Sequence, residues 1–305
     1  MLIKQTRLTE EAKKSRVLLN IIIAMIMAYI FIQIGGLVGA KIGSFIINLL
    51  VVNGFFAQHK ELIGVLQVGI ICVFLLSSVF LWVKFIEKRK IMSLGFYREN
   101  WVIKYITGIL IGLGLMSTVV LILFMLGDIT VQTNSLHPVG MAALTNIPFV
   151  FMVWMLQGAS EEVITRGWLM NVLGAKYNIT VGLIASALLF GGIHLMNPNV
   201  NYIALLNIVL IGIFFGLCVI YTNNLWIVCG MHSAWNFAQG NVFGFAVSGN
   251  ESSAGTLIDL SLVGNKSITG GEFGPEAGLV CSVVILIFIL VLVLLQKKGY
   301  FSKYE

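Results

Sequence analysis

The chain has 305 residues, 58% of them hydrophobic and only 10% charged, with mean hydropathy +0.97 and a formal net charge of +6. A soluble domain carries about 25% charged residues, so the composition excludes an ordinary soluble protein and indicates an all-α, polytopic membrane protein. The basic excess reads as a topology signal and a contact with anionic lipid heads, not as a nucleic-acid footprint.

Spans are taken as charge-free apolar runs of about 17–25 residues. The first, 17–38, follows a basic stretch but is longer than the apolar run of a usual cleaved signal, and Val38-Gly39-Ala40 make a poor cleavage site, so it is read as a retained helix. The run 42–52 is too short to cross and is read as an interfacial or re-entrant piece. The second span is 62–83. A basic, amphipathic connector follows at 87–101 (EKRKIMSLGFYRENW), with Phe96, Tyr97 and Trp101 suited to the lipid interface. The third span is 105–126 and the fourth 142–160.

The fourth span runs into Ser160-Glu161-Glu162-Val163-Ile164-Thr165-Arg166. A charge at membrane depth costs about 2.5–3.5 kcal/mol even on the lenient insertion scale, so such residues usually mark function. On a helix, Glu162 and Arg166 are four apart and can pair, whereas Glu161 points about 100° away. Glu162 and Arg166 are therefore assigned to structural support. Glu161 is left as the candidate general base, desolvation raising a carboxyl toward useful proton affinity. Two structural carboxylates stabilising the helix terminus remain the alternative.

The fifth span, 177–193, ends in Phe190-Gly191-Gly192-Ile193-His194. Counted from the 174–178 turn at about 1.5 Å per residue, Glu162 lies roughly 18 Å along one helix and His194 roughly 24 Å along the other. They can meet deep in the protein, although a capping or core histidine is the plainer reading. The sixth span is 200–222. The seventh, 225–247, carries His232 and Asn236 four apart on one face, able to bind a metal, donate to an oxyanion or clamp two helices together. Residues 248–276 form a long, glycine-rich outer loop, suited to a lid or to a passive connector, and 277–296 is the eighth span.

With eight spans and cytoplasmic termini, sixteen of the nineteen Lys and Arg residues fall on the inner side. The whole of 1–305 is read as one integral-membrane domain with a core at about 142–247. Cys72, Cys218, Cys229 and Cys281 lie in spans without paired spacing and read as small apolar core residues.

The order EExxxR, FxxxH, HxxxN, each on its own apolar span, resembles the CAAX-protease and bacteriocin-processing (CPBP, or Abi) family of intramembrane proteases. The motifs cover roughly 154–237, and the tract Thr269-Gly270-Gly271-Glu272-Phe273-Gly274-Pro275-Glu276 also looks like one found in bacterial members. The resemblance implies a CAAX-prenyl-protease-like bundle of about eight helices. It also implies that Glu161 and His194 activate water while His232 and Asn236 stabilise the oxyanion. Glu161, His194 and His232 are the candidate ligands should a divalent metal such as zinc take part.

Other chemistries fit less well. HExxH is absent, Gly158-Ala159-Ser160-Glu161 breaks a rhomboid-type GxSG, and no GxxxxGKS loop is present to bind a nucleotide. Only Asp128 and Asp259 are available to an aspartyl protease, both in outer loops. The expectation is a bacterial, plasma-membrane endopeptidase with peptide or protein substrates and lipid contacts, without nucleic-acid or nucleotide partners. The alternatives are a non-catalytic scaffold or bacteriocin-immunity protein, and a proton-coupled transporter.

Overall fold

Proline-free apolar sequence forms a helix wherever a cap sets its start. At Asn20 the side chain accepts from the Ile23 amide and opens α2, Ile21–Val52, a continuous 32-residue helix. The computed structural model describes residues 5–54, 59–251 and 254–301. A short α1 (Arg7–Lys13) precedes α2. The remaining helices are α3 (Leu62–Leu81), α4 (Trp101–Met125), α5 (Ile147–Glu162), α6 (Met170–Lys176), α7 (Ile179–Ile193), α8 (Tyr202–Thr222), α9 (Trp226–Phe237), α10 (Lys266–Thr269) and α11 (Leu279–Lys297). The described residues are 72% helical. They include one two-stranded antiparallel ribbon of β1 (Ile129–Val131) and β2 (Leu260–Leu262).

Six helical stretches are long and apolar enough to cross a membrane: α2, α3 with its wide-turn extension to Ile86, α4, the continuous Ile147–Lys176, α8 and α11. The count of eight is thus approximate. Its fifth and seventh members are α7, with 15 residues, and α9, with 12. At about 1.5 Å per residue neither reaches across a hydrocarbon layer of about 30 Å. Both are walled largely by other helices, and every residue of α9 from Val228 to Asn236 is buried. Short helices and irregular ends are tolerated at depth when protein surrounds them. The run 42–52 is the last third of α2, not a separate interfacial piece.

Close backbone contact holds α9 in place. A Cβ on Gly108 would come within 2.1 Å of the Ile227 carbonyl, and one on Gly112 within 2.2 Å of the Met231 carbonyl, so α4 presents a two-glycine groove to α9. On the other side α5 packs against α9 through Gly158, where a Cβ would meet Ser233.

The helix ends sort into two groups. At one end the Arg7 amide donates to Asn223 Oδ1, the Leu225 amide to the Gly95 carbonyl and the Arg16 amide to the Glu87 carbonyl. Most of the Lys and Arg side chains gather there. The connector at 87–101, read as amphipathic and interfacial, is partly internal: Glu87 is fully buried, its carboxylate accepting from Trp82 Nε1 at 3.1 Å, Trp168 Nε1 at 2.7 Å and Arg89 Nε at 2.7 Å. At the opposite end lie the ribbon and the glycine-rich segment. Phe273 of that segment is buried in a small core with Phe190, Ala204, Ile208 and Ala277.

Candidate active site

α5 delivers both glutamates, and their surroundings separate them. The helix does not stop at Glu162 but widens into a π-type turn over Val163–Leu169 before continuing as α6. Such bulges recur at functional sites because they re-aim side chains within a continuous helix. Arg166 Nη1 still reaches Glu162 Oε1 at 2.8 Å, and both side chains have 0% exposure. The guanidinium carbon lies 4.2 Å from the centroid of the Phe190 ring, a cation–π contact. Glu161 points another way, and 21% of its side chain is accessible.

Glu161 Oε1 accepts from Gln157 Nε2 at 2.6 Å, while Oε2 is buried without a hydrogen-bond partner among the described residues. His232 Nε2 lies 3.7 Å from that oxygen. The other nitrogen of His232, Nδ1, donates to Glu162 Oε1 at 2.9 Å. Glu162 therefore orients the imidazole as well as pairing with Arg166. Asn236, one turn further along α9, donates through Nδ2 to Gln157 Oε1 at 2.9 Å, so Gln157 bridges the catalytic-candidate carboxylate and the amide.

His194 caps the C-terminus of α7. Its Nδ1 lies 2.7 Å from the Phe190 carbonyl. A carbonyl can only accept, so the proton sits on Nδ1 and Nε2 carries the lone pair. The Phe190 ring stands against both imidazoles, with centroid separations of 4.9 Å to His194 and 5.9 Å to His232.

Glu161, His194, His232 and Asn236 all line a single cavity of about 640 Å³ with Gln157 and Trp154 among its other polar walls. Val65, Val150, Ile208, Ile211 and Phe215 give it an apolar lining. The structure thus brings together all four proposed chemical groups and places Glu162 and Arg166 directly behind them. Gln157 was not singled out in the sequence, although an amide one helical turn before Glu161 in an apolar run was a readable signal.

Two imidazoles and a carboxylate are ligands that zinc accepts. Among the described residues, however, no three His, Cys, Asp or Glu side chains gather into a group that could hold an ion. As they stand, Glu161, His194 and His232 do not fit a resident metal.

Residues 143–238 match the family model for type II CAAX prenyl endopeptidase, Rce1-like. Over that stretch the chain is similar to the CAAX-protease family. The matched residues run from the turn before α5 to the end of α9 and contain all six site residues read from the motifs. No curated protein and no solved structure matches the chain. The family is one of proteases, and the chain around the matched core is a multi-pass membrane protein.

Proposed function

We propose that the chain is an intramembrane endopeptidase that hydrolyses peptide or protein substrates with a water activated by Glu161 and His194. One observation carries this reading: a half-shielded carboxylate, two imidazoles and an amide from three separate helices face one largely apolar cavity. Glu161 Oε2, which has no protein partner, takes a proton from the attacking water. Gln157 holds the other oxygen, so the free lone pairs stay pointed at the cavity. His194 offers Nε2 as a second acceptor, its tautomer fixed by the Phe190 carbonyl.

The oxyanion would be met by Asn236 and His232. Asn236 commits one N–H to Gln157 and retains the other. His232 commits its Nδ1 proton to Glu162, so it can donate from Nε2 only as an imidazolium. The buried Glu162 carboxylate favours that form in the transition state. No step needs a metal ion. We propose a bacterial plasma membrane as its location, with both termini cytoplasmic, on the placement of Lys and Arg in the short connecting segments.

The test is hydrolysis of quenched fluorescent peptides by purified chain in lipid nanodiscs. Glu161→Gln and His194→Ala should each lower turnover by about 10²–10⁴-fold, the scale of general acid–base catalysis, with unchanged thermal unfolding. Folded variants that cleave at the wild-type rate would leave these groups a structural role only.

A further inference from the structure

The cavity is charged in one sense only. Besides Glu161, its lining includes Glu251 and Glu276, and no Lys or Arg contributes to it among the described residues. Both additional carboxylates lie outside the family-matched stretch, in the segment between α9 and α11. Glu276 is held in place: Oε1 accepts from the Ser248 amide at 2.5 Å, Ser248 Oγ at 3.1 Å and Gln239 Nε2 at 3.1 Å. All of those donors are neutral. Glu251 is exposed at the same end. Neither carboxylate has a cationic partner among the described residues.

Deeper in the same cavity, His194 is only 9% exposed and its Nε2 takes no protein partner, and Glu161 Oε2 is likewise unpartnered. Unsatisfied polar groups at the floor call for a polar ligand group there. Unneutralised carboxylates at the mouth of an apolar cavity favour a cation at that end. The walls between them are apolar side chains such as Val150 and Ile211.

We infer that the cavity selects an apolar peptide segment carrying a cationic side chain beside the cleavage region, with Glu276 and Glu251 as the residues that read the charge. The inference rests on the peptide-hydrolase reading of this cavity and adds its substrate class. It also assigns the glycine-rich segment a specificity role. The positive φ angles of Gly270, Gly271 and Gly274 turn the chain so that Phe273 is buried beside Phe190 and Glu276 returns to the cavity.

The experiment measures binding, not turnover. Full-length chain carrying Glu161→Gln is placed in nanodiscs of neutral lipid. It is titrated by fluorescence anisotropy into labelled leucine–alanine hexapeptides, blocked at both ends, with Lys, Gln or Glu at either the first or the last position. One Lys peptide should bind about tenfold tighter than its Gln counterpart, a difference of about 1.4 kcal/mol, and the Glu peptide should be weakest. Added Glu251→Gln and Glu276→Gln should shrink the preference to within about twofold, and raised salt should weaken it.

Because Glu276 also holds the Ser248 amide, Glu251→Gln alone repeats the comparison without disturbing that contact; it should still reduce the preference. Equal affinity for Lys, Gln and Glu peptides overturns the inference, as do a preference that survives both substitutions and an absence of saturable binding. A wild-type chain that cleaves peptides without regard to charge also overturns it, while leaving the protease reading intact. Lys-selective binding without any hydrolysis would do the reverse.

Discussion

Glu162 has two tasks that pull on one oxygen: Oε1 accepts both Arg166 Nη1 and His232 Nδ1. Its neighbour Glu161 has neither, which is why two adjacent carboxylates can differ in role. Removing one member of a fully buried ion pair leaves an uncompensated charge and costs about 3–5 kcal/mol. Arg166→Met should therefore lower the unfolding midpoint far more than Glu161→Gln does. The double variant Glu162→Gln/Arg166→Met removes both charges and should recover most of that loss. It should not recover hydrolysis, because the carboxylate orienting His232 is gone. Thermal unfolding and peptide turnover on the same three preparations separate the two tasks. A double variant that cleaves normally would reduce Glu162 to a purely structural residue.

Among the elements, α9 is the one whose position decides the chemistry, since it carries both His232 and Asn236. Its depth is set by contact with α4, where Gly112 leaves room for the Met231 carbonyl next to His232. Gly112→Ala puts a methyl group 2.2 Å from that oxygen and must push the helices apart. Overpacking of this kind costs about 1–3 kcal/mol, and here the displaced residue is a site histidine. Gly114 lies on the same helix with nothing within 4 Å of its added Cβ. Gly114→Ala is therefore the matched control. Turnover should fall sharply for Gly112→Ala and stay near wild type for Gly114→Ala; equal values would show that the crossing does not set the geometry.

The same elements show what the sequence could and could not convey. The motif residues were legible because ionisable groups stand out in apolar runs, and the spacing of His232 and Asn236 fits a single helical face. Helix extents were less legible. Reading charge-free runs ended the fourth span at 160, because Glu161 interrupts it, whereas Ile147–Lys176 is continuous with its charges in the middle. Lys41 likewise cut α2 into two pieces. The groove made by Gly108 and Gly112 is a small-residue repeat whose partner is remote in sequence, and the π-type turn after Glu162 leaves no local signature. The same remoteness hid the pairing of β1 with β2 and the contact of Glu87 with Trp168, 81 residues away.

For the whole molecule, the decisive asymmetry is between its two ends. α1 and the C-terminus of α11 lie at the basic end, with Lys90 and Lys176 exposed near them. The cavity faces the opposite end: it is lined by the first turn of α3 at Gly64 and Val65, by Asn197 just beyond α7, and by Glu276 just before α11. If the basic end is cytoplasmic, as the excess of Lys and Arg on short segments leads us to propose, the cavity mouth opens on the outer side of the membrane. The native cysteines supply a quiet background for testing this, since Cys72, Cys218, Cys229 and Cys281 are all buried. Lys90→Cys, Lys176→Cys and Ser267→Cys, each at an exposed position, can be treated in intact cells with a membrane-impermeant maleimide. Ser267→Cys should label at once, and the two basic-end variants only after permeabilisation. Labelling of Lys90→Cys and Lys176→Cys but not Ser267→Cys in intact cells would invert the orientation and give the cavity a cytoplasmic substrate. Labelling of all three would mean that the two ends do not lie on opposite sides of the bilayer, and the outer placement of the cavity would fall with them.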